Sequence, residues 1–256
     1  FLVMQSRRIF VYVGTVDAMF RPTLRQSQCD MEVSSKKASD ISSALGAVKD
    51  GDVIFFGGFG SNGNPSALIE GLSKTNLKNL TVVNNGGGSD DSGLGSLLES
   101  GAIAKIICSF PYERDSVIFR DLFQAGKIEL ELVPQGTLAE RIRNAGAGLG
   151  GFLTKTGLGT EVAQGKQEIE VEGELYILEK PLRADVALLR ADTVDTRGNL
   201  TYRGSARNFN PVMAMAARHT IVQASKEVAL GETGPGIIVT PGIYVDQYVI
   251  TGEGSI

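Results

Sequence analysis

Histidine and cysteine are scarce in this chain of 256 residues. His219 is the single histidine, which excludes metal sites built from several histidines and most Cys-His catalytic pairs. The two cysteines, Cys29 and Cys108, are too few for a disulfide framework or a multi-thiolate zinc site. We therefore expect no metal site, and the low cysteine content favours a reducing, cytoplasmic location.

Long apolar runs and a strong charge imbalance are also missing. No run of apolar residues is long enough to cross a membrane as a helix, so we expect no membrane segment. The formal net charge is −4, which gives no electrostatic reason to expect nucleic acid or an anionic membrane as a partner. With 42% hydrophobic and 21% charged residues, the composition is typical of a globular enzyme.

The first 30 residues differ in composition from the rest of the chain. They contain four arginines, no lysine and two acids, and they show no clear period. An Arg-rich, acid-poor segment resembles an organelle transit peptide, but we favour a tag or a mis-started extension before Met31. We predict that residues 1–30 lie outside the fold and that residues 31–256 form the domain.

Short apolar runs alternate with helical patterns along residues 31–256. The runs lie at Val53–Phe56, Leu80–Val83, 104–108, 129–133, 186–189 and 220–222. Such runs are typical of strands buried on both faces of a parallel sheet. The alternation predicts an α/β fold, with an open, mainly parallel sheet and helices on both faces. Residues 144–180 break this rhythm, and the alternation over 168–172 predicts a small antiparallel excursion.

Two local signals concern helix boundaries. Thr137 and Glu140 have the spacing of a capping box, which predicts that a helix starts there. Residues 213–218 predict a helix, after which His219 would be a cap or a surface residue. Cys108 closes an apolar run, so we interpret it as a packing residue and not as a nucleophile.

A glycine-rich string follows the first predicted strand and precedes a helix that opens with Pro65. The string consists of Gly57, Gly58, Phe59, Gly60, Ser61, Asn62 and Gly63. Read from Gly58, it satisfies the dinucleotide pattern G-x-G-x-x-G, which expects an acid at the end of the next strand. Asn84 and Asn85 stand there instead, so we expect no NAD site. A tight turn without a ligand stays open as an alternative.

The same string belongs to a longer pattern. Asp50-Gly51, Ile54-Phe55-Phe56, the glycine string and Pro65 together resemble the signature of family I CoA-transferase α subunits. Further segments resemble this family in the same order, at residues 84–86, 133–143, 146–148, 154–160, 198–202 and 205–210. The likeness covers nearly the whole chain after the extension and implies the family's fold and activity.

The resemblance implies an enzyme that moves coenzyme A, as a substrate, between carboxylic acids. In this family a glutamate of the β subunit, within a Ser-Glu motif, attacks the acyl-CoA thioester. This chain contains no Ser-Glu pair, so the resemblance implies an α subunit that is inert alone and works in an α2β2 heterotetramer. Residues 108–111 and 125–131 resemble 3-oxoadipate transferases, which implies succinyl-CoA as the donor. Acetate or acetoacetate transferases stay open as alternatives.

The resemblance also assigns candidate site residues. Gln135 matches the family's active-site glutamine, and its amide is expected to donate to the thioester oxygen; a glutamine that bonds only its own turn is the alternative. The loop 57–63 is expected to shape the acyl and pantetheine pocket. Asn84 and Asn85, at the carboxyl end of a strand, are expected to bind substrate. Arg114 or Arg120 is expected to bind the remote carboxylate of a dicarboxylate.

Two other classes of function stay open. One is a nicotinamide or sugar-phosphate enzyme on a similar sheet, which NADH binding or activity of the lone chain would favour. The other is a binding module that senses acyl-CoA, which would bind this ligand without turnover.

Overall fold

The computed structural model describes residues 35–87, 94–112 and 116–252. The extension predicted over residues 1–30 lies outside the described residues, and so does Arg114. The strands are β1 (Val53–Phe56), β2 (Leu80–Val83), β3 (Ile103–Cys108), β4 (Glu129–Leu132), β5 (Phe152–Thr154), β6 (Glu168–Val171), β7 (Glu174–Glu179), β8 (Ala184–Asp195), β9 (Leu200–Thr201), β10 (Ala217–Val228) and β11 (Gln247–Ile250). The α-helices are α1 (Ile41–Ala44), α2 (Ser66–Ser73), α3 (Leu94–Glu99), α4 (Val117–Gln124), α5 (Gln135–Gly146) and α6 (Asn210–Ala214).

Eight of the described strands form one sheet in the order β11-β10-β8-β1-β2-β3-β4, with β9 paired to β8. The pairs are parallel except for β8–β9. Strand β1 is central, because its Phe55 lies between Val83 of β2 and Ala187 of β8. The chain moves outward through β2, β3 and β4 and then returns to β8 on the other side of β1. In open α/β sheets ligands bind at such a reversal, outside the carboxyl ends of the strands.

Helices cover both faces of this sheet, as the sequence predicts. Ile54 and Phe56 of β1 pack with α1–α4 on one face, whereas Phe55 packs with α5 and α6 on the other. All three side chains are fully buried. Burying one side chain of this size contributes about 1.5–3 kcal/mol, so β1 anchors both helical layers.

A separate antiparallel sheet, in the order β5-β7-β6, lies where the sequence predicts the excursion. The buried Glu179 of β7 ties it to the edge of the main sheet. Its carboxylate pairs with Lys166 at 2.5 Å and lies 4.0 Å from Arg141 of α5. Arg141 also pairs with Glu131 of β4 at 2.9 Å. These cations supply the pairing that a buried carboxylate needs.

Two predicted helix boundaries are wrong. Helix α5 begins at Gln135 and not at Thr137, and no side chain caps it. Pro134 precedes it with φ −54°, which is close to the helical value, so the helix can start directly after this residue. The Glu140 carboxylate does not close a capping box; it accepts hydrogen bonds from Arg143.

The helix predicted over residues 213–218 is also wrong. Helix α6 ends at Ala214, and β10 begins at Ala217, so His219 lies within a strand and pairs with Val186. The physical reason is the length of β8. Its ladder with β10 runs along the whole strand, and the backbone groups of 217–228 are needed to satisfy it.

The first turn of α2 takes its cap from a distant strand. Pro65, at the N-cap position, has no side-chain acceptor for the orphan N–H groups of the helix. Gln223 of β10 supplies one, because its Oε1 accepts from the Ala67 N–H at 3.0 Å and from the Leu68 N–H at 3.4 Å. Gln223 is buried. The sheet therefore fixes the start of the helix that follows the glycine string.

We predict that Gln223→Leu destabilises the chain. Leucine has a similar size but no acceptor, so two N–H groups at the start of α2 lose their partner. The free energy of unfolding should fall by about 1–3 kcal/mol, as measured by urea denaturation. Lys226→Gln, at an exposed position of the same strand, is the control. It should change the free energy of unfolding by less than about 0.5 kcal/mol. Equal stability of the two variants would contradict this assignment.

Candidate active site

The predicted site residues follow neighbouring parallel strands, so they meet at one edge of the sheet. The glycine string follows β1, the two asparagines follow β2, and Gln135 opens α5 shortly after β4. Because the carboxyl ends of parallel strands lie on the same side, this edge is the candidate active site. It coincides with the reversal in strand order at β1.

Gln135 and Asn85 are in direct contact. The Gln135 Nε2 donates to Asn85 Oδ1 at 2.5 Å, although 50 residues separate the two along the chain. Asn85 is buried, and its backbone carbonyl accepts from the Ser109 and Phe110 N–H groups at 3.0 and 3.1 Å. Gln135 therefore does not bond its own turn. Its amide is held by a residue that β2 and β3 fix together.

Asn84 has a different contact. Its Oδ1 accepts from the Gly86 N–H at 3.1 Å, which is the hydrogen bond of an Asx turn. Of the two asparagines, the structure thus brings Asn85 to Gln135 and gives Asn84 a turn-forming bond. A substrate-binding role for Asn84 stays a prediction.

The glycine string forms a tight turn anchored at both ends. The Gly57 N–H continues the ladder by donating to the Leu188 carbonyl of β8 at 3.0 Å. Phe59 and Asn62 bond each other through their backbones at 2.9 and 3.1 Å, and Gly60, with φ +56°, lies at the tip between them. The Phe59 side chain is 45% exposed. An aromatic ring is therefore partly exposed to solvent at the candidate site.

The N-terminus of α2 is not open to a phosphate. The Ser66 N–H donates to the Asn64 carbonyl at 2.9 Å, and the next two N–H groups are bonded to Gln223. A dinucleotide site would aim these groups at the pyrophosphate. This geometry weakens the nicotinamide alternative, which already lacked an acid after β2.

Some site residues were missed from the sequence. Asn208 donates to the Asn62 carbonyl at 2.9 Å, and Asn210 donates to the Gly63 carbonyl at 3.1 Å. Both belong to the segment 205–210. The segment carried a family resemblance, but no sequence signal tells which loop an asparagine will contact.

Exposed aromatic side chains also lie near this edge. Phe110 and Tyr112 follow β3 and are more than half exposed. A bridge between Gly86 and Phe110 joins this segment to the residues after β2. The Phe110 N–H donates to the Asn85 carbonyl at 3.1 Å, so Phe110 gives this edge apolar surface next to Asn85, whereas the Tyr112 ring packs against Phe119 of α4 with 5.8 Å between the ring centroids. The arrangement suits a ligand with an apolar chain and a polar carbonyl group.

Cys108 is buried at the end of β3, as expected for a packing residue. Burial raises the pKa of its thiol to about 12. The thiolate is the nucleophilic form, so the thiol is inactive as a nucleophile near neutral pH. In the described part of the chain no three His, Cys, Asp or Glu side chains group to hold a metal ion, and no helix is long and apolar enough to cross a membrane.

We predict that Cys108 resists alkylation in the folded chain. At pH 8 a thiol with a pKa of about 12 is deprotonated to about one part in 10⁴, and an unfolded cysteine to about one part in ten. Iodoacetamide should therefore modify Cys108 about 10³-fold more slowly before urea denaturation than after it, as followed by peptide mass spectrometry. Equal rates in the two states would contradict the buried, neutral thiol.

The chain resembles proteins of one family over most of its length. A model described as "Coenzyme A transferase" matches residues 38–250. The chain is 53% identical to the A subunit of 3-oxoadipate CoA-transferase from Acinetobacter baylyi, over 84% of this chain and 94% of that protein. It is 45% identical to the alpha subunit of acetate CoA-transferase from Escherichia coli, over 86% of this chain and 99% of that protein.

Solved structures share the fold. Glutaconate coenzyme A-transferase from Acidaminococcus fermentans matches with a TM-score of 0.76 and 22% identity, over 85% of this chain and 76% of that chain. The acyl-CoA transferase YdiF of Escherichia coli O157:H7, as a thioester complex with CoA, matches with a TM-score of 0.75 and 23% identity. That match covers 86% of this chain and 50% of the YdiF chain. This chain therefore belongs to the coenzyme A transferase family and corresponds to its A or alpha subunits.

Proposed function

We propose that this chain is the α subunit of a cytoplasmic enzyme that transfers CoA from succinyl-CoA to 3-oxoadipate. The likeness to the A subunit of 3-oxoadipate CoA-transferase, over nearly the full length of that protein, carries this proposal. An acetate or acetoacetate transferase is the second candidate, supported by the likeness to the alpha subunit of acetate CoA-transferase. Arg114 is proposed to bind the remote carboxylate that 3-oxoadipate has and acetoacetate lacks.

The nucleophile is proposed to come from a β subunit. A glutamate carboxylate on the β chain attacks the thioester carbonyl carbon, the C–S bond breaks, CoA leaves as the thiolate, and an acyl-glutamyl anhydride remains. The thiolate then attacks the glutamyl carbonyl and releases the first acid as its carboxylate. The second acid reverses these steps. The YdiF chain is about twice as long as the segment matched here, which supports a second half supplied by another chain.

The contribution of this chain is proposed to be a fixed hydrogen-bond donor. Negative charge develops on the thioester oxygen during the attack, so a donor oriented in advance lowers the barrier. The Gln135 amide has two N–H bonds, and Asn85 Oδ1 accepts one of them. The other is available for the thioester oxygen. Asn85 thereby acts on substrate through Gln135, and the loop 57–63 lines the path of the acyl and pantetheine groups.

We predict that the purified chain has no CoA-transferase activity and gains it with a β chain that carries the Ser-Glu motif. The physical reason is the missing nucleophile. Succinyl-CoA consumption should be measured with the lone chain, the lone β chain and the mixture, with 3-oxoadipate and acetoacetate as acceptors. Turnover by the lone chain at the rate of the mixture would overturn the α-subunit proposal. A higher kcat/KM for acetoacetate than for 3-oxoadipate would overturn the proposed substrate.

We predict that Gln135→Ala lowers kcat of the assembled enzyme by about 10²–10³-fold, because a donor to the developing oxyanion is lost. The change in kcat/KM should be similar, since this bond is made chiefly in the transition state. The free energy of unfolding should fall by about 1–3 kcal/mol, because Oδ1 of the buried Asn85 loses its donor.

Asn85→Ala, alone and combined with Gln135→Ala, tests the route through Asn85. Gln124→Ala, at an exposed position of α4, is the control and should keep the wild-type rate. Asn85→Ala should slow turnover, and adding it to Gln135→Ala should cost little more, because both act on one hydrogen bond. Wild-type turnover in an assembled Gln135→Ala enzyme would remove Gln135 from the site.

A further inference from the structure

Asn210 joins the end of the glycine string to strand β8. Its side chain is 0% exposed. Its Nδ2 donates to the Gly63 carbonyl at 3.1 Å and to the Ala206 carbonyl at 2.9 Å. Its Oδ1 accepts from the Arg190 N–H at 3.0 Å. Both donor hydrogens and the acceptor of this amide are therefore used, and each bond reaches a different part of the chain.

At two positions of the string, a side chain larger than that of glycine would collide with Asn210. A Cβ atom at Gly57 would overlap Asn210 Oδ1. A Cβ atom at Gly63 would lie 2.9 Å from Asn210 Nδ2 and 2.6 Å from the Ala206 carbonyl oxygen. A Cβ atom at Gly60, by contrast, would meet nothing within 4 Å. Gly57 and Gly63 thus leave room for Asn210, whereas Gly60 lies at the open tip of the loop.

Asn208 adds a second tie to the same loop. Its Nδ2 donates to the Asn62 carbonyl at 2.9 Å and to the Ser205 carbonyl at 2.8 Å. Within the loop 57–63 itself, the described backbone hydrogen bonds are the two between Phe59 and Asn62. The loop therefore depends on outside contacts for its position. The Gly57 bond to Leu188 holds its start, and Asn210 supplies the buried side-chain bond that holds its end at Gly63.

We propose that Asn210 is a positioning residue of the active site, in the transferase proposed above. It holds the loop 57–63 at a fixed place relative to β8, so that the loop lines the acyl and pantetheine path in one conformation. Small displacements of groups that orient a substrate can cost about 10²-fold in rate, although the displaced group takes no part in the chemistry. Asn210 acts through the loop and does not touch the substrate.

The first readout needs no partner subunit. Amide hydrogen exchange is measured in the full chain for Gly57, Phe59 and Asn62, whose N–H groups are hydrogen-bonded. In Asn210→Ala these amides should exchange about tenfold faster or more, while those of α4 should stay unchanged. Asn144→Ala is the matched control, because Asn144 is equally buried but lies in α5 and bonds Glu140. It should leave exchange in the loop unchanged.

The second readout is turnover of the variant chain assembled with the β chain. We expect kcat of Asn210→Ala to fall by about 10–100-fold, and that of Asn144→Ala to stay at the wild-type value. Gly57→Ala should be slow in the wild-type background. Gly57→Ala with Asn210→Ala should be little slower than Asn210→Ala alone, because the overlapping Asn210 atoms are gone and only the end of the Leu189 side chain, at 3.2 Å, has to shift. Asn208→Ala, which releases only the Asn62 tie within the loop, should act in the same direction and more weakly.

The outcomes separate this proposal from the proposed function. Faster loop exchange together with lower kcat supports a positioning role. Unchanged loop exchange, or faster exchange with wild-type kcat, overturns it. If the wild-type chain has no transferase activity with its β chain, the proposed function fails, and loop exchange alone decides whether Asn210 holds the loop. If Asn210→Ala does not fold, Asn208→Ala decides by the same two readouts.

Discussion

Strand β1 pairs with a strand on each side and packs against helices on both faces of the sheet. The position of its carboxyl end is therefore fixed. Its register with β8 sets Phe56 opposite Leu188, and the Gly57 N–H continues that ladder by bonding the Leu188 carbonyl. A slip of one residue would turn Phe55 to the wrong face of the sheet. The burial of three large side chains therefore fixes the point from which the glycine string departs, and the candidate site is arranged around that point.

Neutral amides make the long-range contacts at this edge of the sheet. Asn85 meets Gln135, Asn210 meets Gly63, and Gln223 meets the start of α2. A side-chain amide donates and accepts at once, so it can satisfy backbone groups of either kind. It also avoids the desolvation cost of a buried charge. The ion pairs around Glu179 involve Arg141, further along α5, where they join the small sheet to the main one.

Strands β1 to β4 and the helices on both faces of the sheet could be predicted from the sequence because they follow from apolar runs and their spacing. Strands β9 and β11 were not predicted, and β8 and β10 extend well beyond the predicted runs 186–189 and 220–222. Both wrong boundaries arose where a distant partner or a neighbouring proline overrode a local signal: β8 draws residues from Ala217 onward into a strand, and Pro134 starts α5 before Thr137. The contacts of Asn210 and Gln223 could not be predicted, because each joins segments that are far apart in the chain. The family resemblance pointed to Gln135, but only the fold shows that Asn85 holds it.

A neutral donor suits the proposed reaction better than a cation would. A lysine or arginine beside the attacking carboxylate would stabilise its charged form, which lowers its basicity and its reactivity toward a thioester. An amide N–H interacts weakly with the neutral carbonyl and strongly with the oxyanion that replaces it. Its orientation must then be set before the attack, since an amide free to rotate would present its oxygen as readily as its nitrogen. The bond to Asn85 Oδ1 removes that freedom, because only the nitrogen side of the Gln135 amide can make it.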